Sequence, residues 1–268
     1  MPGAFRSLNI MQDTKRIKRL ETNMIRAAIF DIDNTLYDYD SANAAAMTAV
    51  EDYALKYFGW NRAETESLVR DSFLQMSREA GKKAVIHNRL IRFQRILELK
   101  KLPLSPHALR MYDIYWDTLT ASSVVFPGLS EVLMQLREKG IVLGIGTNMT
   151  SVMQFRKLEA LGLLPLFDFI VSSEEAGSEK PESALFLMCC DKAGFSPSEC
   201  LYVGDNLKSD IGGAEAAGLK AAWFCPDKAP IPEGMPVPVD HPGIQEAAKS
   251  TVTFSSFKEL PALIDRFQ

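Results

Sequence analysis

The stretch AAIFDIDNTLYDYD, residues 27–40, runs four apolar residues straight into Asp31 and Asp33, with Asp38 and Asp40 close behind. A short apolar run bounded by polar residues reads as a buried strand. Two aspartates one residue apart at the end of such a strand need a reason, because crowded carboxylates repel one another. In an open parallel sheet, ligands gather beyond the carboxyl ends of the strands. What the other strands carry at their ends therefore decides the reading.

From residue 125 onward, strand and helix patterns alternate. The strands read GIVLGIG (140–146), LFDFIVSS (166–173), CLYVGD (200–205), LKAAWF (219–224) and TVTF (251–254). Helices read from about Thr150, over ESALFLMCCDKAG (182–194), through DIGGAEAAG (210–218) and within SSFKELPALIDRF (255–267). In the first of these, Val152, Phe155, Leu158 and Leu161 suggest a buried face, and Gly162 a C-terminal stop. Such alternation predicts an α/β fold, a Rossmann-like doubly wound parallel sheet with helices on both faces. Residues 41–122 lack strand signals and carry four helical patterns. They are expected to form an α-helical domain inserted between the first two core strands. The expected organisation is an N-terminal extension (1–23), a core domain (24–40 and 123–268) and a helical cap domain (41–122). A segment with six prolines, 226–243, is expected to be a loop or arm.

Composition narrows the function. The 268 residues are 47% hydrophobic and 24% charged, as in an ordinary soluble enzyme. A net charge of −4 calls for neither nucleic acid nor an anionic membrane surface, and no apolar run is long enough to span a bilayer. The four cysteines form no C-x-x-C pair and read as reduced core thiols of a cytoplasmic protein. None is followed six positions on by arginine, so a cysteine-based phosphatase loop is absent. Three scattered histidines, His87, His107 and His241, argue against histidine-centred catalysis and a histidine-rich metal site. The basic run TKRIKR (14–19) reads as a solvated extension, and Met24 is an alternative start.

Four polar clusters mark the strand ends. The first is Asp31 and Asp33, the second Thr147 and Asn148, the third Lys180 before Pro181, and the fourth Asp205 with Asp210. Carboxylates in such number become tolerable around a hard divalent cation, and Mg²⁺ takes few carboxylates plus waters. One lysine and a Thr-Asn pair supply charge and donors for an anion. Together they suit phosphoryl transfer, with an aspartate as the nucleophile.

DIDNTL, GTN, EKPES and GDNLKSD, in that order, resemble the four motifs of the haloacid dehalogenase-like (HAD) hydrolase superfamily, over roughly residues 25–225. The resemblance implies that Asp31 is the nucleophile and that Asp33 is the general acid and base. It implies that Thr147 and Asn148 bind the phosphoryl oxygens and that Lys180 neutralises the nucleophile and the phosphate. Mg²⁺ would be held by Asp31, the backbone carbonyl of Asp33 and Asp205, with Asp210 supporting that shell or orienting Lys180. The helical insertion is similar to the type I cap of this superfamily. Tyr37, Arg89, Arg92, Tyr112 and Trp116 are candidate specificity residues, and Asp38 and Asp40 belong to the turn into the cap.

These residues imply a Mg²⁺-dependent phosphatase of a small phosphorylated metabolite. A nucleoside 5′-monophosphate, a sugar phosphate and phosphoglycolate all remain open as substrates. The superfamily's haloacid dehalogenases lack the second aspartate, so Asp33 argues against that chemistry. Its phosphonate hydrolases use a cap lysine, and nothing marks Lys82 or Lys83 for that role. A phosphomutase would keep the same motifs. A non-catalytic regulatory protein would be expected to lose them.

Overall fold

A computed structural model of the chain describes residues 24–81, 83–226 and 252–267. The N-terminal extension, Lys82, His241 and nearly all of the proline-rich segment lie outside the described residues.

β1 (Ala27–Phe30) is followed by four helices, α1 (Tyr39–Phe58), α2 (Arg62–Ala80), α3 (Arg89–Leu99) and α4 (His107–Ser122). Then come α5 (Leu129–Glu138), β2 (Val142–Thr147), α6 (Ser151–Ala160), β3 (Phe169–Ser172), α7 (Ser183–Ala193) and β4 (Cys200–Gly204). A π-helical turn (Leu207–Ile211) leads into α8 (Gly212–Ala216), followed by β5 (Lys220–Phe224), β6 (Val252–Phe254) and α9 (Leu260–Arg266).

All six strands are parallel, in the order β3-β2-β1-β4-β5-β6. The period of two along each strand feeds two cores. Ala28 and Phe30 of β1 join Leu201 and Val203 of β4 on the face that α5, α6 and α9 cover. Ala27 and Ile29 join Cys200 and Tyr202 on the other face, under α7 and α8. Burial on both faces explains why the strands read as continuous apolar runs. Gly144 of β2 is required by close approach, since a Cβ there would stand 2.1 Å from the Phe169 ring. The order reverses direction at β1, whose neighbours β2 and β4 lie to either side, and Asp31 and Asp205 leave this switch point.

The insertion is helical, as its patterns predict. Asp38 caps α1 by accepting from the Ser41 amide at 3.0 Å, which gives this acidic residue a structural task. Chain entry and exit are stitched together where the Phe126 amide donates to the Leu36 carbonyl at 2.9 Å.

One expectation needs correction. In α6, Val152 and Phe155 are exposed, while Met153, Gln154, Lys157 and Leu158 face inward. A spacing of three precesses around a helix of 3.6 residues per turn, so the apolar series does not hold one face. The buried lysine, which no apolar pattern would select, takes a partner in the site.

Candidate active site

The sheet itself positions Asp31. Its amide donates to the Val203 carbonyl at 2.9 Å, continuing the β1–β4 ladder one residue past the strand. Lys180 Nζ lies 2.7 Å from Asp31 Oδ1 and 2.8 Å from Asp210 Oδ1, and bonds the Tyr202 hydroxyl at 3.0 Å. The Tyr202 hydroxyl in turn donates to the Gly146 carbonyl. Asn148 ties the second and third clusters together, its Oδ1 accepting from the Lys180 amide at 2.9 Å. Asp210 Oδ2 accepts from the Asn206 amide at 3.1 Å. Gly204 leaves room for this carboxylate, because a Cβ there would meet Asp210 Oδ2 at 2.4 Å.

Asp31, Asp205 and Asp210 each offer a carboxylate oxygen within 4.8 Å of the others. One lysine cannot neutralise three such groups. Burial, opposed by Lys180 and reinforced by Asp210 and Asp33, pushes Asp31 up to about 6. Burial, then Asp31 and Asp210, pushes Asp205 up to about 8. Burial alone would lower Lys180, but Asp210 and Asp31 more than offset it and hold it well above the usual lysine range. A cluster this short of positive charge, built from hard oxygen donors, fits a divalent cation such as Mg²⁺.

Asp33 faces elsewhere. Both of its oxygens accept from Lys157 Nζ, at 2.7 and 2.8 Å, and Oδ1 also accepts from the Tyr37 hydroxyl at 2.7 Å. Lys157 is 1% exposed and sits 5.5 Å from the Tyr39 ring centroid and 5.6 Å from that of Trp116. The Asp33 carboxylate is therefore outside the acidic cluster, and only its backbone carbonyl stays available for the metal role expected of this residue. Nothing in the sequence pattern singles out Lys157.

Lys157→Met should test this arrangement. It leaves Asp33 with Tyr37 alone, and if Asp33 is the general acid and base that its motif implies, its displacement costs on the order of a hundredfold in turnover. The expected result is a fall in kcat with KM little changed. An unaltered kcat would make the Lys157–Asp33 pair a packing device only.

A cleft of about 260 Å³ joins these parts. Asp31, Asp33, Thr147, Asn148, Lys180, Asp205 and Asp210 all line it, so the structure brings every expected site residue to one place. Of the candidate specificity residues, Arg89 and Arg92 line it too. Tyr37, Tyr112 and Trp116 do not: Tyr37 is buried beneath Asp33, Tyr112 donates to the Met153 sulfur, and Trp116 packs on Tyr115. Lys83 is exposed and outside the lining. His87 lines the cleft as well and bonds Glu179 at 2.8 Å, joining the helical insertion to the core.

The chain is similar to known proteins. A family model for haloacid dehalogenase-like hydrolase matches residues 25–218. The chain is 35% identical over 207 residues to a ribulose-1,5-bisphosphate 5-phosphatase of Halopiger xanaduensis, covering 76% of this chain and 87% of that one. It is 28% identical over 246 residues to an N-acylneuraminate-9-phosphatase of Homo sapiens, covering 90% and 94%. The crystal structure of a HAD phosphatase from Thermococcus onnurineus matches with a TM-score of 0.64 at 22% identity, covering 90% and 98%, a likeness of fold.

Proposed function

The chain belongs to the haloacid dehalogenase-like hydrolase family and is an enzyme, a phosphatase; from this premise we propose that it hydrolyses a small phosphorylated carbohydrate with Mg²⁺, through an aspartyl-phosphate on Asp31. The observation that carries the reading is the division of the acids. Asp31 lies in a cation-hungry cluster beside Lys180, while Asp33 lies in the same cleft but on a separate partner. This division supports a reading in which one carboxylate attacks and the other handles a proton.

In the first step Asp31 Oδ bonds to phosphorus and the bond from phosphorus to the ester oxygen breaks. The departing oxygen takes a proton from Asp33. Asp33 Oδ2 accepts from Lys157 alone, whereas Oδ1 is shared with Tyr37, so Oδ2 has the spare capacity to carry that proton. In the second step Asp33 receives a proton from water, whose oxygen bonds to phosphorus as the Asp31–phosphorus bond breaks. Inorganic phosphate and the free carboxylate result. Thr147, Asn148 and Lys180 hold the phosphoryl oxygens. Asp31, Asp205 and the carbonyl of Asp33, with Asp210 behind them, would hold Mg²⁺, which supplies charge for the crowded oxygens when bound.

The relatives named above support a carbohydrate phosphate over a nucleotide. The buried thiols of Cys189, Cys190 and Cys200 suit a reducing, cytoplasmic setting, and among the described residues no helix is long and apolar enough to cross a membrane. The test is phosphate release from a panel of sugar phosphates and nucleotides, with Mg²⁺ and with chelator. Release that persists under chelation would end the metal-dependent reading.

The cation should also bind with a defined pH dependence. Protons and Mg²⁺ compete for the same oxygens of Asp31, pushed up to about 6, and Asp205, pushed up to about 8. Below the lower value both groups hold protons; above the higher neither does. Affinity should rise with pH across that window, by up to about tenfold per pH unit for each proton displaced, and level off above it. Calorimetric Mg²⁺ titrations across the window check this, and a flat affinity would exclude the two carboxylates as ligands.

A further inference from the structure

The buried cations around this cleft divide by partner. Lys180 is paired with Asp31 and Asp210, and Lys157 with Asp33. Arg89 and Arg92 of α3 are each 7% exposed, line the cleft, and pair with no carboxylate among the described residues. Arg89 Nη2 donates to the Tyr39 hydroxyl at 3.0 Å and to Asn43 Oδ1 at 3.2 Å, and its guanidinium lies 3.7 Å from the Tyr115 ring centroid. Arg92 Nη2 donates to the Ile86 carbonyl at 3.0 Å, with the Phe73 ring centroid 4.8 Å away. The Nε atoms of both are buried without a hydrogen-bond partner.

Rings and neutral oxygens fix these guanidiniums in place but cancel no charge. Burial, and then Arg89, pushes Arg92 down to about 10, which still leaves it charged at neutral pH. Two desolvated like charges three positions apart on one helix call for an anion from outside. The phosphoryl end already has Thr147, Asn148 and Lys180, whereas the arginines stand on the cap. Guanidinium forks match carboxylates and phosphates alike.

We propose that Arg89 and Arg92 form a second anion subsite, so that the substrate is a phosphomonoester bearing a further anionic group, a carboxylate or a second phosphate, away from the scissile ester. This rests on the reading of the cleft as a phosphomonoester site. The test compares a hexose monophosphate, the hexonate phosphate of the same skeleton and the hexose bisphosphate. Turnover is measured on the wild type, and equilibrium binding on Asp31→Asn with Mg²⁺ present. At least about a tenfold preference in kcat/KM for one or both anionic-tailed esters is expected, and the better of the two tells carboxylate from phosphate. Arg89→Gln and Arg92→Gln should each erode that preference, chiefly through KM, and Arg92→Lys should recover part of it.

Equal use of all three esters would overturn the proposal. So would a loss of the same factor for every ester in the arginine variants, which would assign the pair to the scissile phosphate or to cap packing. If no ester is hydrolysed, the carbohydrate-phosphate reading fails by itself. The subsite then stands if binding to Asp31→Asn still favours the anionic tails and loses that preference when Arg92→Gln is added, and falls if it does not.

Discussion

With Asp31 as the proposed nucleophile, Asp31→Asn should abolish phosphate release, lowering turnover by at least about ten-thousand-fold. The amide keeps the shape and one acceptor oxygen for Lys180, which retains Asp210 at 2.8 Å. The fold should survive and, without metal, gain. Asp31 is raised from its ordinary 3.8 to about 6, so its folded-state contribution is fully present only below the ordinary value and is lost as pH rises through the raised one. Ionised Asp31 thus costs on the order of 2–3 kcal/mol at neutral pH, and the variant escapes that cost. In chelator the variant should melt at or above the wild type at neutral pH, with the gap closing towards pH about 4. With Mg²⁺ the order should reverse, since the wild type has the additional ligand. Thermal melts beside a phosphate-release assay read both effects. Persistent turnover would remove Asp31 as nucleophile, and a variant that unfolds would make it structural.

Lys180→Met should be the most damaging single change to stability in the site. The ammonium is the shared partner of Asp31 and Asp210 and bonds Tyr202 besides, all in buried surroundings. Removing one member of a buried ion pair typically costs about 3–5 kcal/mol, because the remaining charge has nowhere to go. Here the remainder is a carboxylate cluster with oxygens within 4.8 Å of one another. Urea unfolding should show the loss in chelator. Saturating Mg²⁺ should restore part of it by occupying the same oxygens. Adding Asp210→Asn should restore part without metal, since one fewer charge then needs an ion partner. Activity should stay lost in both rescues. A destabilisation that neither cation nor second substitution relieves would point to packing around the alkyl chain instead of charge.

Much of this site is legible in the sequence. Asp31, Asp33, Thr147, Asn148, Lys180 and Asp205 stand just beyond apolar runs, or in the loops that follow them. A parallel sheet sends such positions to one rim. The helical character of the insertion followed from period alone.

The failures share a cause. The spacing of Val152 and Phe155 suggests the inward side of α6, yet the inward positions include Lys157, held by Asp33, 124 positions away in the chain. Tyr37 reads from sequence as a candidate specificity residue on the turn but lies buried under that same carboxylate. Arg89 and Arg92 could be singled out as candidates, but not told apart from Tyr112 and Trp116.

The sequence by itself determined the strand ends, their acids and the kind of chemistry they suit, because each signal lies within a few consecutive residues and the sheet topology does the gathering. Tertiary structure alone decided which cations are already neutralised and which are left for a ligand. That depends on whether chain-remote atoms come within ion-pair reach, a distance no local period encodes.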